Sequence, residues 1–272
     1  MSVEKLIAEG VLRQTKVGAI DDKCDLSQPL VVVNPRKGEI EVTASQRVSL
    51  VLWHDDEKES ALTLRLAPHT RLSLTEVYAS TKYASLTIEQ GEASECDVTT
   101  VVLHGAHTAY ETLLNAPHSS FVMNAAVVAG EFDHAVLSLV TRHLVSDCKS
   151  NSTVKSIASG RGVAEFKGLV YVAQDAQRTD AKQLNRNVEL GMGRVVSEPQ
   201  LEIYADDVKC SHGSTVGQLD DEAIYYMRQR GISQESAERL MLEGFVGDVV
   251  AKCEIEALRS YLTEELSKRL NG

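Results

Sequence analysis

The chain has 272 residues, of which 43% are hydrophobic and 25% charged, so it is long enough to bury a substantial core as one large domain or two small ones. Its 28 basic and 39 acidic residues leave a net charge of −11, which makes nucleic acid and anionic membrane surfaces poor partners. No apolar run reaches the length of about 18 residues that a membrane-spanning helix needs, and the opening MSVEKLIAEGVLRQTK carries no signal-peptide run, so a cytoplasmic protein is expected.

Residues 1–29 form an N-terminal segment with room for one short helix. From 30 to 213 the apolar residues alternate, as in Val48-Ser49-Leu50-Val51-Leu52, Leu62-Thr63-Leu64-Arg65-Leu66 and Leu72-Ser73-Leu74-Thr75. A period of two puts one side-chain row in a core and the next outside, as a strand does. Strand-like runs begin near 72, 85, 97, 108, 121 and 134, about every 11 to 13 residues. That spacing fits a sandwich, a barrel or a stacked solenoid. The absence of Asn-Gly and Asp-Gly hairpin turns in this region, and only 5 prolines in the whole chain, favour a parallel β-helix over an antiparallel sandwich. Two strands per coil then give a rung of roughly 22 to 26 residues. Leu64 is expected inside the coil and Thr63 outside.

Residues 214–272 form a C-terminal helical region, the period changing to that of helices after Gly217. Asp220-Asp221-Glu222 suits a helix start, with Ile224, Tyr225 and Met227 as its apolar stripe and Gly231 as its stop. Ser233 is a natural N-cap for a second helix carrying Ala237, Leu240, Met241 and Phe245. A third runs from about Glu254 to Leu270, with Leu258, Tyr261, Leu262 and Leu266 on one face. This tail is too small to hold much core of its own. The stripe Leu240, Met241, Phe245, Val246 therefore reads either as core against the β-rich body or as an exposed face for a partner.

Five cysteines (Cys24, Cys96, Cys148, Cys210, Cys253) are dispersed without a Cys-x-x-Cys pair, so reduced structural thiols are expected. His104-Gly105-Ala106-His107 has no third ligand, and His134 has the same status; both read as surface. No Gly-x4-Gly-Lys-Ser/Thr loop occurs, so ATP hydrolysis by this chain is not expected. Cys210 and His212 are the best chemical pair. Thiolate and imidazole both ligate iron, and at i and i+2 of a strand they share a face. Alternatively, Cys210 is a small buried hydrophobe and His212 covers the last rung.

Specific stretches between Gly160 and Ile232 carry a resemblance: Gly162-Val163-Ala164-Glu165-Phe166-Lys167-Gly168, Ala176-Gln177-Arg178-Thr179-Asp180-Ala181, Asn185-Arg186-Asn187, Glu198-Pro199-Gln200-Leu201-Glu202-Ile203, the run from Ala205 to Leu219, and Tyr225-Tyr226-Met227-Arg228-Gln229-Arg230-Gly231. They resemble the SufB/SufD family of iron–sulfur cluster assembly scaffolds, and Cys210-Ser211-His212-Gly213 with Thr215-Val216-Gly217-Gln218-Leu219 is similar to its SufD branch. The resemblance implies a right-handed parallel β-helix with C-terminal helices, mainly β in class. It implies a non-catalytic scaffold that pairs with SufB and works with SufC, an ABC-type ATPase supplying the ATP hydrolysis. On that reading the helices dock SufC through Leu240, Met241, Phe245 and Val246. His212, with Cys210, lies at the SufB interface, where iron or an iron–sulfur cluster is held transiently and none is bound stably by this chain alone. The alternatives are a SufB-like homodimeric scaffold and, further off, a stand-alone β-solenoid enzyme. Family members usually begin with a sizeable helical N-terminal domain, which residues 1–29 do not supply.

Overall fold

The computed structural model describes residues 3–80 and 82–270. A short helix, α1 (Val3–Ala8), is followed by the first turns of a ladder: β1 (Arg13–Gln14), β2 (Ala19–Ile20), β3 (Leu30–Val33), β4 (Lys37–Val42), β5 (Val48–His54) and β6 (Ser60–Leu66). The middle comprises β7 (Arg71–Tyr78), β8 (Tyr83–Gln90), β9 (Glu95–Val102), β10 (His107–Leu114), β11 (Ser120–Ala129) and β12 (His134–His143). The end comprises β13 (Lys149–Ala158), β14 (Val163–Val172), β15 (Thr179–Glu189), β16 (Arg194–Ile203) and β17 (Val208–Gly217), before helices α2 (Asp221–Gln229), α3 (Gln234–Val250) and α4 (Glu256–Leu270).

Odd-numbered strands form one sheet and even-numbered strands the other, each strand pairing with those two places before and after it. The pairings are parallel from Arg13 beside Leu30 to Val188 beside Gly217. This is a parallel β-helix, and the antiparallel sandwich falls away. Pairing begins inside the 1–29 segment and continues past residue 213. Leu72 sits beside Cys96, within the expected rung length. Later rungs are longer: Phe121 lies beside Ser150 and Ser150 beside Ala181, 29 and 31 residues on. The strands themselves lengthen, from 8 residues in β7 to 10 in β13.

The corners explain why the sequence carries so few turn signals. Before β7, β9, β11, β13 and β15 the chain passes through the left-handed region at His69, Ala93, His118, Asp147 and Arg178. These are not glycines, and the backbone N–H groups of His69, Ala93, Asp147 and Arg178 are spent on neighbouring corners, as Ala93 on the Pro117 carbonyl at 3.0 Å and Asp147 on that of Gln177 at 3.0 Å. The stacked rungs thereby hold a conformation that an isolated turn would leave to Gly or Asn.

Inward rows from both sheets make the main core, with Leu50, Leu64, Leu74, Ile88, Phe121 and Leu139 among its buried members. Leu64 is buried and Thr63 half-exposed, as the period requires. A second core lies outside the solenoid, on the outer face of the odd sheet, where Val51, Trp53, Val77, Val101, Val128 and Ile157 meet α1, α3 and α4. The caps are those the sequence suggests: the Asp220 carboxylate accepts from the backbone N–H of Glu222 at 2.9 Å, and Ser233 Oγ accepts from that of Ser236 at 3.2 Å. Leu258, Tyr261, Leu262 and Leu266 are all buried on the inner face of α4. Trp53 meets Tyr261 with ring centroids 5.4 Å apart. Lys155 Nζ, deeply buried on β13, donates to the Phe245 carbonyl at 2.8 Å and pairs with Asp248 at 2.7 Å, tying α3 to the sheet. The tail therefore packs along the solenoid's flank.

Candidate functional site

The last rung is left open at its end. Among the described residues β17 pairs with β15 alone and β16 with β14 alone, so each shows a row of unpaired backbone groups. The two edges differ. On β16, Pro199 has no N–H to offer, and the Val195 N–H is taken by Glu189 Oε1 at 2.8 Å. Ten-residue β17, VKCSHGSTVG, has no proline.

In register, Cys210, His212 and Ser214 lie over Ala181, Gln183 and Asn185 of β15. Across the lumen, Ser197, Pro199 and Leu201 lie over Phe166, Gly168 and Val170 of β14. The β17 row faces inward: Cys210 packs partly against Val170, Val172, Ala181 and Ala205, and Ser214 Oγ meets Ser197 Oγ at 2.6 Å. A polar floor lies beneath. Asn185 Oδ1 accepts from Ser197 Oγ at 2.6 Å and from Asn187 Nδ2 at 2.6 Å, while Asn185 Nδ2 donates to the Val154 carbonyl at 3.1 Å.

Cys210 and His212 are thus brought to one face at the open end, Cys210 half-buried and His212 exposed. Burial pushes the Cys210 thiol up, and the Asp180 charge adds to it, so in the uncovered chain this group is a thiol rather than a thiolate. Two donors do not make an iron or cluster site, which takes about four, and the described residues hold no group of three or more His, Cys, Asp or Glu suited to a metal. Any cargo held here would need further ligands from whatever covers the end.

His104 and His107 do not converge. His104 lies near Arg269, burial and that charge pushing its pKa down. The His107 ring instead packs between Tyr83, at 4.7 Å, and His134, at 5.0 Å, on neighbouring strands of the even sheet. The four helical residues do not share one exposed face either. Leu240 is exposed, Met241 and Phe245 are half-buried, and Val246 is fully buried against the odd sheet. Phe245 also lies under Lys155 Nζ, 4.9 Å from its ring centroid. The helical period marks an apolar stripe but not which part of it the sheet takes. Exposed Tyr225 and Tyr226 on α2 are the aromatic surface that the stripe omitted.

A polar cluster inside the solenoid was also missed. Glu76 faces the lumen, accepting from His54 Nε2 at 2.9 Å, Tyr78 Oη at 2.8 Å and Tyr110 Oη at 2.7 Å. The alternation Leu72, Leu74, Glu76, Tyr78 carried that signal, because it puts the carboxylate on the inward row.

Residues 39–245 match the protein family described as SUF system FeS cluster assembly, SufBD core domain. The chain is 38% identical over 162 residues to the iron–sulfur cluster assembly protein SufD of Escherichia coli, covering 59% of this chain and 38% of that protein. It is 38% identical over 121 residues to a SufBD family protein of Synechocystis, covering 44% of this chain and 27% of that one. With a SufBD family protein of Mycobacterium leprae it shares 34% over 151 residues, 52% of this chain and 38% of the relative. The matched stretches thus span well under half of each relative's length.

Proposed function

We propose that this chain, which belongs to the SufBD core family of the SUF iron–sulfur cluster assembly system, works as a SufD-like, non-catalytic scaffold whose open last rung pairs with a SufB-type solenoid. The observation that carries this is the ten-residue β17, unpaired on one side, with Cys210 and His212 on its inward row. A long uncovered edge is a template for another strand. The chain's own helices do not occupy it, because they lie along the flank of the odd sheet. A partner solenoid added there closes the lumen and brings its own ligands to His212. An imidazole serves as a nitrogen ligand at neutral pH and as a proton carrier, and a covered Cys210 joins it as thiolate once a metal replaces its proton. Iron and cluster are cargo assembled at this junction and passed on. A SufC-type ATPase docks on the free side of the helices, at Leu240 and Met241 with Tyr225 and Tyr226; Val246 is withdrawn from that surface, and Phe245 contributes only its uncovered edge.

The test is co-purification with SufB-type and SufC-type partners. Val216→Arg, on the exposed end of the β17 inward row, abolishes pairing with the SufB-type chain and leaves the monomer's thermal unfolding unchanged. His212→Ala keeps the complex but lowers cluster yield per folded complex, read by visible absorbance after anaerobic purification. Undiminished pairing in the first variant sinks the edge assignment, and undiminished yield in the second removes His212 from the cargo site. If the chain alone sediments as a dimer that Val216→Arg splits, the homodimeric scaffold is the better reading.

A further inference from the structure

We propose that Gln183 is a positioning residue for His212, holding one ring nitrogen so that the other faces out of the solenoid; this rests on the reading of His212 given above. Gln183 is on the inward row of β15 and only 2% exposed. Neither its amide oxygen nor its amide nitrogen has a hydrogen-bond partner among the described residues. A primary amide brings two donors and an acceptor, and buried polar groups are rarely left unmet. Of the neighbouring polar groups, Ser214 pairs with Ser197, and Ser197 and Asn187 Nδ2 with Asn185. Ser152, on the rung below, donates to the Lys182 carbonyl at 3.4 Å. Asn187 Oδ1 has no partner among the described residues, but Asn185 stands between it and Gln183 on the row. What lies over Gln183 is His212, its partner in register. Cys210 and Ser214 on either side of His212 point into the lumen, so His212 stands on the same inward row.

The amide is also fixed in place. It spans the lumen to rest against Gly168, where an added Cβ would fall 2.5 Å from its Nε2 and 2.6 Å from its Cδ and Oε1. Only a residue without a side chain leaves room for it there. A neutral imidazole has one N–H and one lone pair; for the outward nitrogen to keep the lone pair, the inward one carries the N–H and donates it to Gln183 Oε1. A rotation of the exposed His212 ring onto this floor meets the unpartnered amide and leaves the second nitrogen directed at the open end. Histidines that bind metals normally have their other nitrogen fixed in this way. Sequence reading gave no hint of Gln183, since its neighbour over the lumen is set by the register of two rungs.

The experiment uses the chain alone, labelled with ¹⁵N in its histidine rings, at a pH of about 8, where imidazole is neutral; His212→Ala assigns the signal. A His212 ring N–H in slow exchange is expected in the wild-type chain. Gln183→Leu speeds that exchange on the order of tenfold, the worth of one hydrogen bond. Gly168→Ala does the same while keeping the glutamine, because it displaces the amide. Gln183→Glu retains an acceptor and restores slow exchange. Circular dichroism confirms that each variant is folded, and the Gly168 and Gln183 variants check one another. Ring exchange unchanged in both Gln183→Leu and Gly168→Ala overturns the positioning role, whatever the cluster yields. Failure of His212→Ala to lower cluster yield in the assembled complex overturns the reading beneath it. The two failures are separate because one is measured on the chain and the other on the complex.

Discussion

The two sheets share one lumen and one pleat, yet their outer faces are opposites. On the even sheet the outward row is uncovered and, though it includes Val136, Val140 and Leu169, is laddered by charge. Arg65 reaches Glu39 at 2.5 Å and Glu89 at 2.9 Å, Arg142 meets Glu111 at 2.7 Å, and Lys167 meets Glu165 at 2.7 Å. On the odd sheet the outward column is Trp53, Val77 and Val101, joined by Val128 and Ile157, all buried under helices. Alternating burial therefore marks a wall facing water, and burial at nearly every position marks a wall that is covered, even where the covered residues are polar, as Ser73 and Thr75 are. Strand β12, eBiBiBiBiB in burial, and strand β7, buried at all but its first residue, are the two extremes.

The sharpest break of this comparison is a charge inside the shared lumen. Leu64→Asp is expected to cost about 4 kcal/mol or more, because a buried carboxylate finds neither water nor partner. Thr63→Asp, one residue away and outward, stays within about 0.5 kcal/mol. Urea denaturation of the two variants reads the difference directly.

Next comes the covered wall. Trp53→Ala removes an indole that packs on Tyr261 and whose Nε1 donates to Asp55 at 3.0 Å; the expected loss is about 3–5 kcal/mol. Thr87→Ala, outward on the even sheet, is expected to lie within about 0.5 kcal/mol of wild type. Equal losses would mean that the helices add nothing to the odd sheet.

The lumen also carries a pH dependence of its own. His143 is fully buried, its Nε2 2.8 Å from Ser150 Oγ, and burial holds its pKa down from 6.5 to about 4. The fold thus favours the neutral ring. Its contribution is complete above the unfolded value of 6.5 and is lost as pH falls toward about 4, because the unfolded chain binds the extra proton. The size is on the order of 3 kcal/mol. Chemical denaturation at pH 7 and pH 4.5 is expected to show this loss, and His143→Gln to flatten it.

Lys155→Met tests what ties the helices down. Losing the bonds to the Phe245 carbonyl and to Asp248 is expected to cost about 1–3 kcal/mol, and to speed amide exchange in α3 ahead of the sheets. The smallest effect belongs to the bare wall: Arg65→Ala, half-exposed between two glutamates, should cost under about 1 kcal/mol and less still in high salt.

The inward and outward rows, the change of period after Gly217 and the Asp220 and Ser233 caps were legible in the sequence, because each depends on neighbours within a turn or two of the chain. So was the pairing of Cys210 with His212 on one strand face, which follows from the pleat alone. The lengthening of the rungs from residue 120 onward was not legible, since the corner residues mark where the chain turns but not how many residues each strand keeps, which contacts between rungs decide. The pairing of β1 with β3 escaped for a related reason: two-residue strands have no period to read.

What the sequence determined by itself is the alternation that makes the wall, the helical tail, and the motifs from Gly162 to Gly231 that mark the family. Those are local patterns, and local sterics and burial decide them. Tertiary structure alone decided which wall the tail covers, so that Val246 went to the core and Leu240 to solvent. It also decided that the last rung stays open, with Gln183 beneath His212 and Gly168 opposite. Residues 168, 183 and 212 come together only because the coil stacks strands at one register, and no spacing along the chain encodes that meeting.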